Sequence, residues 1–173
     1  MGKKGRVILN TGDGKGKTTA ALGMVFRALG HDHRVCVIQF LKGQGSYGER
    51  LMAEKIDNLD WYICGKGFVF NKEDIEADRA VARQGFELAK RIITEDRYDL
   101  VVLDEITYLP LYDFLPVAEI VAMLAARPER LNVVITGRSA AGELVEIADT
   151  VSEIHAVKHA YEAGIKAQRG VEY

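Results

Sequence analysis

The stretch NTGDGKGKTT, residues 10–19, places three glycines at alternate positions ahead of a Lys-Thr pair. Its spacing departs at one position from the phosphate-binding pattern G-x-x-x-x-G-K-S/T, because Thr11 stands where the first glycine belongs. The remaining glycines still permit the dihedrals by which backbone amides from Gly12 to Thr18 surround phosphate oxygens. A glycine-rich turn capped by threonines is the alternative. An apolar run before the loop and a helical pattern after it favour the phosphate loop, because a helix N-terminus attracts anions.

Two side chains of this loop carry chemistry of their own. Lys17 supplies a full positive charge, and the Thr18 hydroxyl is a candidate ligand for Mg²⁺ or Mn²⁺. At the end of a later strand, Arg138 can reach a phosphate or a carboxylate, although a surface arginine in a turn is the alternative. The predicted nucleotide-binding residues are Gly12, Asp13, Gly14, Lys15, Gly16, Lys17, Thr18, Thr19, Arg27 and Arg138.

Apolar runs and helical patterns alternate along the rest of the chain. Several runs are continuous, as expected of parallel strands buried on both faces, and they predict strands at residues 7–9, 34–40, 60–63, 100–104, 132–136 and 151–155. Helical patterns predict helices at residues 18–29, 49–56, 74–94, 116–126 and 140–148. This order predicts a single α/β domain over residues 1–173. Its expected architecture is a three-layer sandwich of the P-loop, RecA-like type with a mainly parallel sheet of about six strands.

Composition excludes several classes of partner. The 173 residues carry 23 basic and 25 acidic side chains, so charge forces neither a nucleic-acid nor a membrane partner. No apolar run reaches the roughly 18 residues of a transmembrane helix. The basic N-terminus runs directly into the first strand, so a signal peptide is not expected. Cys36 and Cys64 stand apart in apolar runs, which predicts a reduced, cytoplasmic setting without zinc.

A second candidate element is an acidic pair at the end of a strand. Asp104 and Glu105 directly follow the apolar run Leu100-Val-Val-Leu. One carboxylate there can hold Mg²⁺ directly or through water. Because carboxyl ends of parallel strands meet at one edge of a sheet, this pair and the glycine loop predict a shared nucleotide site. A solvated acidic strand end is the alternative. The predicted metal ligands are Thr18, Asp104 and Glu105, and the predicted catalytic residues are Lys17, Thr18 and Glu105.

The segment Asn71-Lys-Glu-Asp74 matches N-K-x-D, a guanine-binding pattern of G proteins. Here it precedes the acidic strand end, which reverses the usual order. We therefore interpret Asn71 as a helix cap and Asp74 as a residue of the first helical turn.

The residues alone leave the reaction open. A small-molecule kinase would usually present a lid with several arginines, and no such cluster is evident. A hydrolytic motor would need a placed glutamate, which Glu105 could supply, and a basic groove for nucleic acid, which the scattered Lys and Arg do not form. No Ser-His-Asp or Cys-His set indicates covalent catalysis. The inventory indicates phosphate handling with little acid–base machinery.

Segments in order along nearly the whole chain resemble one family, the P-loop corrinoid adenosyltransferases. They are TGDGKGKTTAALG (11–23), VIQFLKG (37–43), GER (48–50), GF (67–68), VVLDEITY (101–108), NVVITGR (132–138), ADTVSE (148–153) and VKHA through GIKAQ (157–168). The modified glycine loop is part of that family's pattern. The resemblance therefore implies that the loop holds a triphosphate despite Thr11.

The resemblance implies an alkyl transfer from ATP, in adenosylcobalamin synthesis or salvage. Co(I) of a corrinoid attacks the 5′-carbon and the whole triphosphate leaves. No protein base is needed, because Co(I) is already a strong nucleophile. The protein then has to position two large ligands and stabilise charge on the triphosphate. In this family ATP lies reversed relative to ordinary P-loop enzymes, with its adenosyl end facing the corrinoid.

The resemblance also implies aromatic residues beside the lower face of the corrin, and Phe68 and Phe70 stand at the matching positions. Phe70 is a departure, because the family often has tryptophan there; phenylalanine keeps the apolar surface and loses the indole N–H. Two core aromatics in a loop are the alternative. The expected partners are ATP, a corrinoid, an electron donor such as a reduced flavoprotein, and a second copy in a homodimer, with no nucleic acid and no membrane.

Members of the family often carry an N-terminal extension whose helix covers the site. Few residues precede the first predicted strand here, so we expect the cover to be absent or supplied by another segment. Two other functions stay open beside the transferase: a P-loop ATPase or small-molecule kinase, and a non-catalytic carrier of a corrinoid or nucleotide.

Overall fold

A parallel β-sheet forms the centre of the protein. The computed structural model describes residues 4–43, 45, 47–65, 67 and 75–173. The strands are β1 (Val7–Thr11), β2 (Val35–Phe40), β3 (Leu59–Cys64), β4 (Leu100–Asp104), β5 (Asn132–Thr136) and β6 (Thr150–Glu153). They lie in the order β3-β2-β4-β5-β1-β6, and every neighbouring pair is parallel. The predicted parallel sheet of six strands is confirmed.

Helices connect these strands. They are α1 (Lys17–Leu29), α2 (Gly48–Ala53), α3 (Ile75–Thr94), α4 (Tyr108–Leu111), α5 (Val117–Ala125) and α6 (Gly142–Ile147). All but α4 were predicted, with small differences at their ends. The four-residue helix α4 and a 3-10 helix at Ala160–Ala163 were not predicted, because elements this short carry too little periodicity. The proposed cap Asn71 and first-turn Asp74 lie outside the described residues.

The sheet is covered on both faces, because successive residues of a strand point to opposite sides. On one face, Val35 and Val37 of β2 belong to a buried cluster with Ala21 and Val25 of α1. On the other face, alternate residues of the same strand join a larger cluster with α3, α5 and α6. This arrangement confirms the predicted three-layer α/β sandwich.

Three further features of the fold are an exposed edge strand, two cysteine thiols and the character of the helices. Strand β6 is a short edge strand whose four residues are all exposed. Cys36 is buried, Cys64 is half-buried, and both are free thiols. Within the described ranges, no helix combines the length and the apolar character needed to cross a membrane.

Gly85, on the buried face of α3, provides a test of the packing between that helix and the sheet. A Cβ atom added there would lie 2.6 Å from Cys64 Cβ and 3.2 Å from Phe40 Cε1. We expect Gly85→Ala to lower the free energy of unfolding by about 1–3 kcal/mol through overpacking. Urea denaturation monitored by circular dichroism measures this change.

Gly23→Ala is the matched control, because Gly23 is an exposed residue of α1 and an added Cβ would meet no atom of the described residues within 4 Å. The higher helix propensity of alanine should raise the free energy of unfolding by about 0.5–1 kcal/mol. A Gly85→Ala protein as stable as the wild type would contradict the close packing of α3.

Candidate active site

The glycine loop joins the end of β1 to the start of α1. Thr11 is the last strand residue, and its Oγ1 accepts a hydrogen bond of 3.3 Å from the Ala140 amide. Gly12 has a φ of 95°, and a Cβ there would lie 2.5 Å from the Ile154 carbonyl oxygen. The loop therefore needs glycine at position 12, whereas Thr11 ends the strand and uses its hydroxyl to hold the Ala140 amide.

The loop lysine is folded inward. Lys17 is 8% exposed, and its Nζ donates a hydrogen bond of 2.8 Å to the Gly14 carbonyl oxygen. Burial lowers the pKa of this amine, while the nearby Glu105 carboxyl acts in the opposite direction. A phosphate placed in the loop would supply the negative charge that this ammonium needs.

Asp104, at the end of β4, is the buried centre of the site, with 0% exposure. Its Oδ1 accepts hydrogen bonds from the Thr18 hydroxyl at 2.8 Å and from the Thr136 hydroxyl at 2.7 Å. Its Oδ2 accepts one from Gln39 Nε2 at 2.9 Å and lies 3.1 Å from Lys42 Nζ. This network joins the glycine loop to Asp104 as the sequence predicted, although β5 separates β1 from β4 in the sheet.

Glu105 follows in a strained conformation, with a φ of 67° that is uncommon outside glycine. Its backbone amide donates to Thr136 Oγ1 at 2.9 Å. Its Oε2 is buried and has no hydrogen-bond partner among the described residues. Burial, followed by the Asp104 carboxylate, raises the pKa of this carboxyl to about 7, against the opposing effect of Lys42 and Lys17.

Lys17, Thr18 and Glu105 line one cavity of about 550 Å³ at the carboxyl edge of the sheet, beside the buried Asp104. A volume of this size suits a small ligand or a nucleotide. It is lined by Gly14, Lys15, Gly16, Lys17, Thr18, Thr19, Leu22, Lys42, Gly48, Glu49, Glu105, Tyr108, Arg138, His159, Gly170, Val171, Glu172 and Tyr173.

The residues fit a Mg²⁺ or Mn²⁺ ion that is shared with a substrate. Among the described residues, no group of three or more His, Cys, Asp or Glu is arranged to hold a metal alone. Mg²⁺ usually takes only one or two carboxylates and completes its shell with phosphate oxygens and water. The Thr18 hydroxyl beside Asp104, together with the unpartnered Glu105 oxygen, provides such an incomplete set.

The structure brings together most of the predicted site residues. Lys15, Lys17, Thr18 and Thr19 line the cavity, as do Gly14, Gly16, Glu105 and Arg138. Of the residues that the structure describes, Gly12, Asp13, Arg27 and Asp104 are not among those that line it; Arg27 is an exposed residue in the last turn of α1, and Asp104 is fully buried. Phe68 and Phe70 lie outside the described residues.

Sequence reasoning missed several residues of the cavity. Lys42 lies two residues after the end of β2, so the rule that located Asp104 at a strand end could have found it. The amide of Gln39, which lies within an otherwise apolar strand and is buried, was a further signal of a polar site nearby, because a buried amide needs hydrogen-bond partners. The C-terminal residues 170–173 reach the cavity through tertiary packing, which no local pattern indicates.

Comparison with known proteins gives a consistent result over the full chain. Residues 3–173 match the family model described as ATP:corrinoid adenosyltransferase BtuR/CobO/CobP. A corrinoid adenosyltransferase of Escherichia coli (strain K12) is 44% identical over 171 residues, which cover 99% of this chain and 87% of that protein. The corrinoid adenosyltransferase CobA of Salmonella typhimurium is 43% identical over 171 residues, which again cover 99% of this chain and 87% of that protein. One from Pseudomonas aeruginosa is 40% identical over 172 residues, 99% of this chain and 85% of that protein.

The glycine loop, the strand-end carboxylates and the match along the whole chain agree with one another. The chain belongs to the ATP:corrinoid adenosyltransferase family.

Proposed function

We propose that the cavity binds ATP with Mg²⁺ and transfers its 5′-deoxyadenosyl group to the Co(I) centre of a corrinoid, with release of triphosphate. The observation that carries this proposal is that Thr18, at the end of the glycine loop, is hydrogen-bonded to Asp104 and lines one cavity together with Glu105, in a chain of this family. The description of the family model supports ATP and a corrinoid as the two substrates, and the names of the relatives support adenosyl transfer to a corrinoid.

The charges of the cavity suit a triphosphate leaving group. Lys17 lines it together with Arg138, and the amides of the loop stand at the N-terminus of α1. Such fixed charges stabilise a departing anion without reorganising during the reaction. A bound Mg²⁺ would neutralise further charge on the phosphates, held by Thr18 with Asp104 and Glu105.

The chemistry requires little from the protein beyond positioning. Co(I) supplies the electron pair that forms the Co–C bond, and the triphosphate leaves with the pair of the broken C–O bond. No proton has to move, so a general base is not required. The protein contributes by holding the 5′-carbon in line between cobalt and the leaving oxygen.

The remaining parts of the proposal rest on the family resemblance. The corrinoid would lie at the mouth of the cavity, with Phe68 and Phe70 beside its lower face. A reduced flavoprotein would supply the electron that produces Co(I), and the working unit would be a cytoplasmic homodimer. Free thiols at Cys36 and Cys64 fit a reducing compartment.

One observation favours ATP hydrolysis as a second candidate. Glu105 has a pKa raised to about 7, which is the range expected of a general base that activates water. A P-loop ATPase or small-molecule kinase would break a phosphorus–oxygen bond instead of the C5′–O bond.

The products distinguish these functions. The protein is mixed anaerobically with Mg²⁺, ATP and chemically reduced cob(I)alamin, while the corrinoid spectrum is followed and the phosphate products are separated. We expect adenosylcobalamin and intact triphosphate in equal amounts. ADP or orthophosphate with an unchanged corrinoid spectrum would replace the transferase by the ATPase or kinase. Binding of both ligands without turnover would indicate a carrier.

Lys17→Ala tests the charge that the loop presents to the triphosphate. Loss of one group that stabilises developing negative charge costs about 10²–10³-fold in rate, so we expect the variant to transfer the adenosyl group at least about a hundredfold more slowly. The same anaerobic assay measures the rate. Lys55→Ala, which removes an exposed charge beyond α2, is the control and should retain the wild-type rate. An active Lys17→Ala protein would exclude the assigned role.

Glu105→Gln tests the cost of keeping a carboxyl in this cavity. Between pH 4.5, the ordinary pKa, and about 7, the folded state holds a proton that the unfolded chain has released. Stability therefore falls as the pH rises through this window, by on the order of 3 kcal/mol when complete. Glutamine cannot ionise, so the variant should be more stable than the wild type by that amount at pH 8 and nearly equal to it at pH 4.

Urea denaturation without ligands at both pH values measures the difference in the free energy of unfolding. Glu143→Gln on the exposed surface of α6 is the control and should produce no comparable gain at pH 8. A stability gap for Glu105→Gln that does not change with pH would contradict the raised pKa.

A further inference from the structure

Lys42 is held at the cavity by a strained turn at the end of β2. Leu41 is buried and has a φ of 60°, which costs free energy for a residue with a Cβ. The next amide, that of Lys42, donates a hydrogen bond of 2.8 Å back to the Phe40 carbonyl oxygen. The turn sends the Lys42 side chain across the end of the neighbouring strand β4.

The Lys42 ammonium stands between two carboxylates. Its Nζ lies 3.1 Å from Asp104 Oδ2 and 3.8 Å from Glu49 Oε1, which belongs to the first turn of α2. The Tyr47 ring centroid is 5.8 Å from the same nitrogen, within reach of a cation–π interaction. Both Lys42 and Glu49 line the cavity. The ammonium therefore neutralises an acidic pair where a cation is expected.

Asp104 has no spare acceptor position in this arrangement. A carboxylate offers about four lone-pair sites, and Thr18, Thr136, Gln39 and Lys42 occupy both of its oxygens. Gln39 and Thr136 are fully buried in strands, whereas the Lys42 side chain is 17% exposed and long enough to move. A divalent cation that approaches Asp104 would therefore displace Lys42 more readily than the strand residues.

We propose that Lys42 is a further ATP-binding residue that exchanges partners when the site is loaded. In the nucleotide-free protein its ammonium occupies the place of the cation beside Asp104 and Glu49. When Mg²⁺ and ATP enter, the divalent cation takes the Asp104 side and the ammonium turns to an oxygen of the triphosphate. This inference rests on the proposed function, because it requires the metal site at Asp104.

The exchange makes metal and nucleotide depend on each other. A divalent cation alone has to displace an ammonium that then loses its carboxylate partners, so it binds weakly. With ATP present, the displaced ammonium gains a triphosphate partner, and both ligands bind more tightly. Removal of the charge at position 42 should therefore change the two affinities in opposite directions, which a structural role would not do.

Mn²⁺ binding measured by electron paramagnetic resonance tests the exchange without any turnover. The experiment compares full-length wild type, Lys42→Met and Lys42→Arg, with Lys42→Gln as a second neutral variant and thermal unfolding as the check on folding. Opposite charges a few ångströms apart interact strongly even near a protein surface, so loss of the ammonium should tighten Mn²⁺ binding by at least about tenfold without nucleotide. Binding of Mn²⁺-ATP should weaken by about tenfold or more, through loss of the phosphate contact.

Two controls complete the design. Lys55→Met makes the same change in net charge at an exposed position and should leave Mn²⁺ affinity unchanged. Lys42→Arg keeps the charge and should stay close to the wild type without nucleotide. If both neutral variants bind Mn²⁺ no more tightly than the wild type, the exchange is wrong.

Asp104→Asn distinguishes failure of the exchange from failure of the metal site. Loss of Mn²⁺ binding in Asp104→Asn, with no effect at Lys42, would leave the metal site in place and remove only the exchange. Equal Mn²⁺ affinity in wild type, Lys42→Met and Asp104→Asn would remove the metal site at Asp104 and the exchange with it.

Discussion

The hydrogen-bonded carboxylate of Asp104 is the interaction on which the site depends. A charge without any exposed surface is costly unless it is paired and hydrogen-bonded. Here the partners come from the first turn of α1, from β2, from β5 and from the turn after β2. One group thereby fixes the glycine loop relative to three strands. Trp61 extends the network to the edge strand β3, since its Nε1 donates to Gln39 Oε1 at 3.1 Å.

Backbone strain is concentrated at the same edge of the sheet. Leu41 after β2, Glu105 after β4 and Ser139 after β5 have φ values of 60°, 67° and 47°. Leucine and glutamate have no special tolerance for this region, unlike aspartate, which adopts it in turns elsewhere in the chain. Strain of this kind persists only where the surrounding structure enforces it, and it is typical of ligand sites. Glu105 Oε2, which is buried and has no hydrogen-bond partner in the described part of the chain, adds a second cost at the same place.

Much of this arrangement could be predicted from sequence, because it follows from local patterns. Continuous apolar runs predicted the buried parallel strands. Because the carboxyl ends of parallel strands meet at one edge of a sheet, the sequence also predicted that Asp104 lies near the glycine loop. Local patterns could not show why position 12 requires glycine, because the reason is the close approach of the Ile154 backbone, which is distant in sequence. Glu49 and the C-terminal residues were missed for the same reason, since their roles come from tertiary packing, whereas the position of Lys42 near the end of β2 was a local signal that was not used. The roles of Phe68 and Phe70 stay predictions.

The decisive measurement is which bond of ATP breaks. ATP carrying oxygen-18 between the 5′-carbon and the α-phosphorus is incubated anaerobically with the protein, Mg²⁺ and cob(I)alamin, and the products are analysed by mass spectrometry. Attack of cobalt on the 5′-carbon breaks the C–O bond, so the label should leave in the free triphosphate while the corrinoid gains an unlabelled adenosyl group. Label that stays attached to the nucleoside, in ADP or another nucleotide, would mean that a phosphorus–oxygen bond is broken and would contradict alkyl transfer at this site.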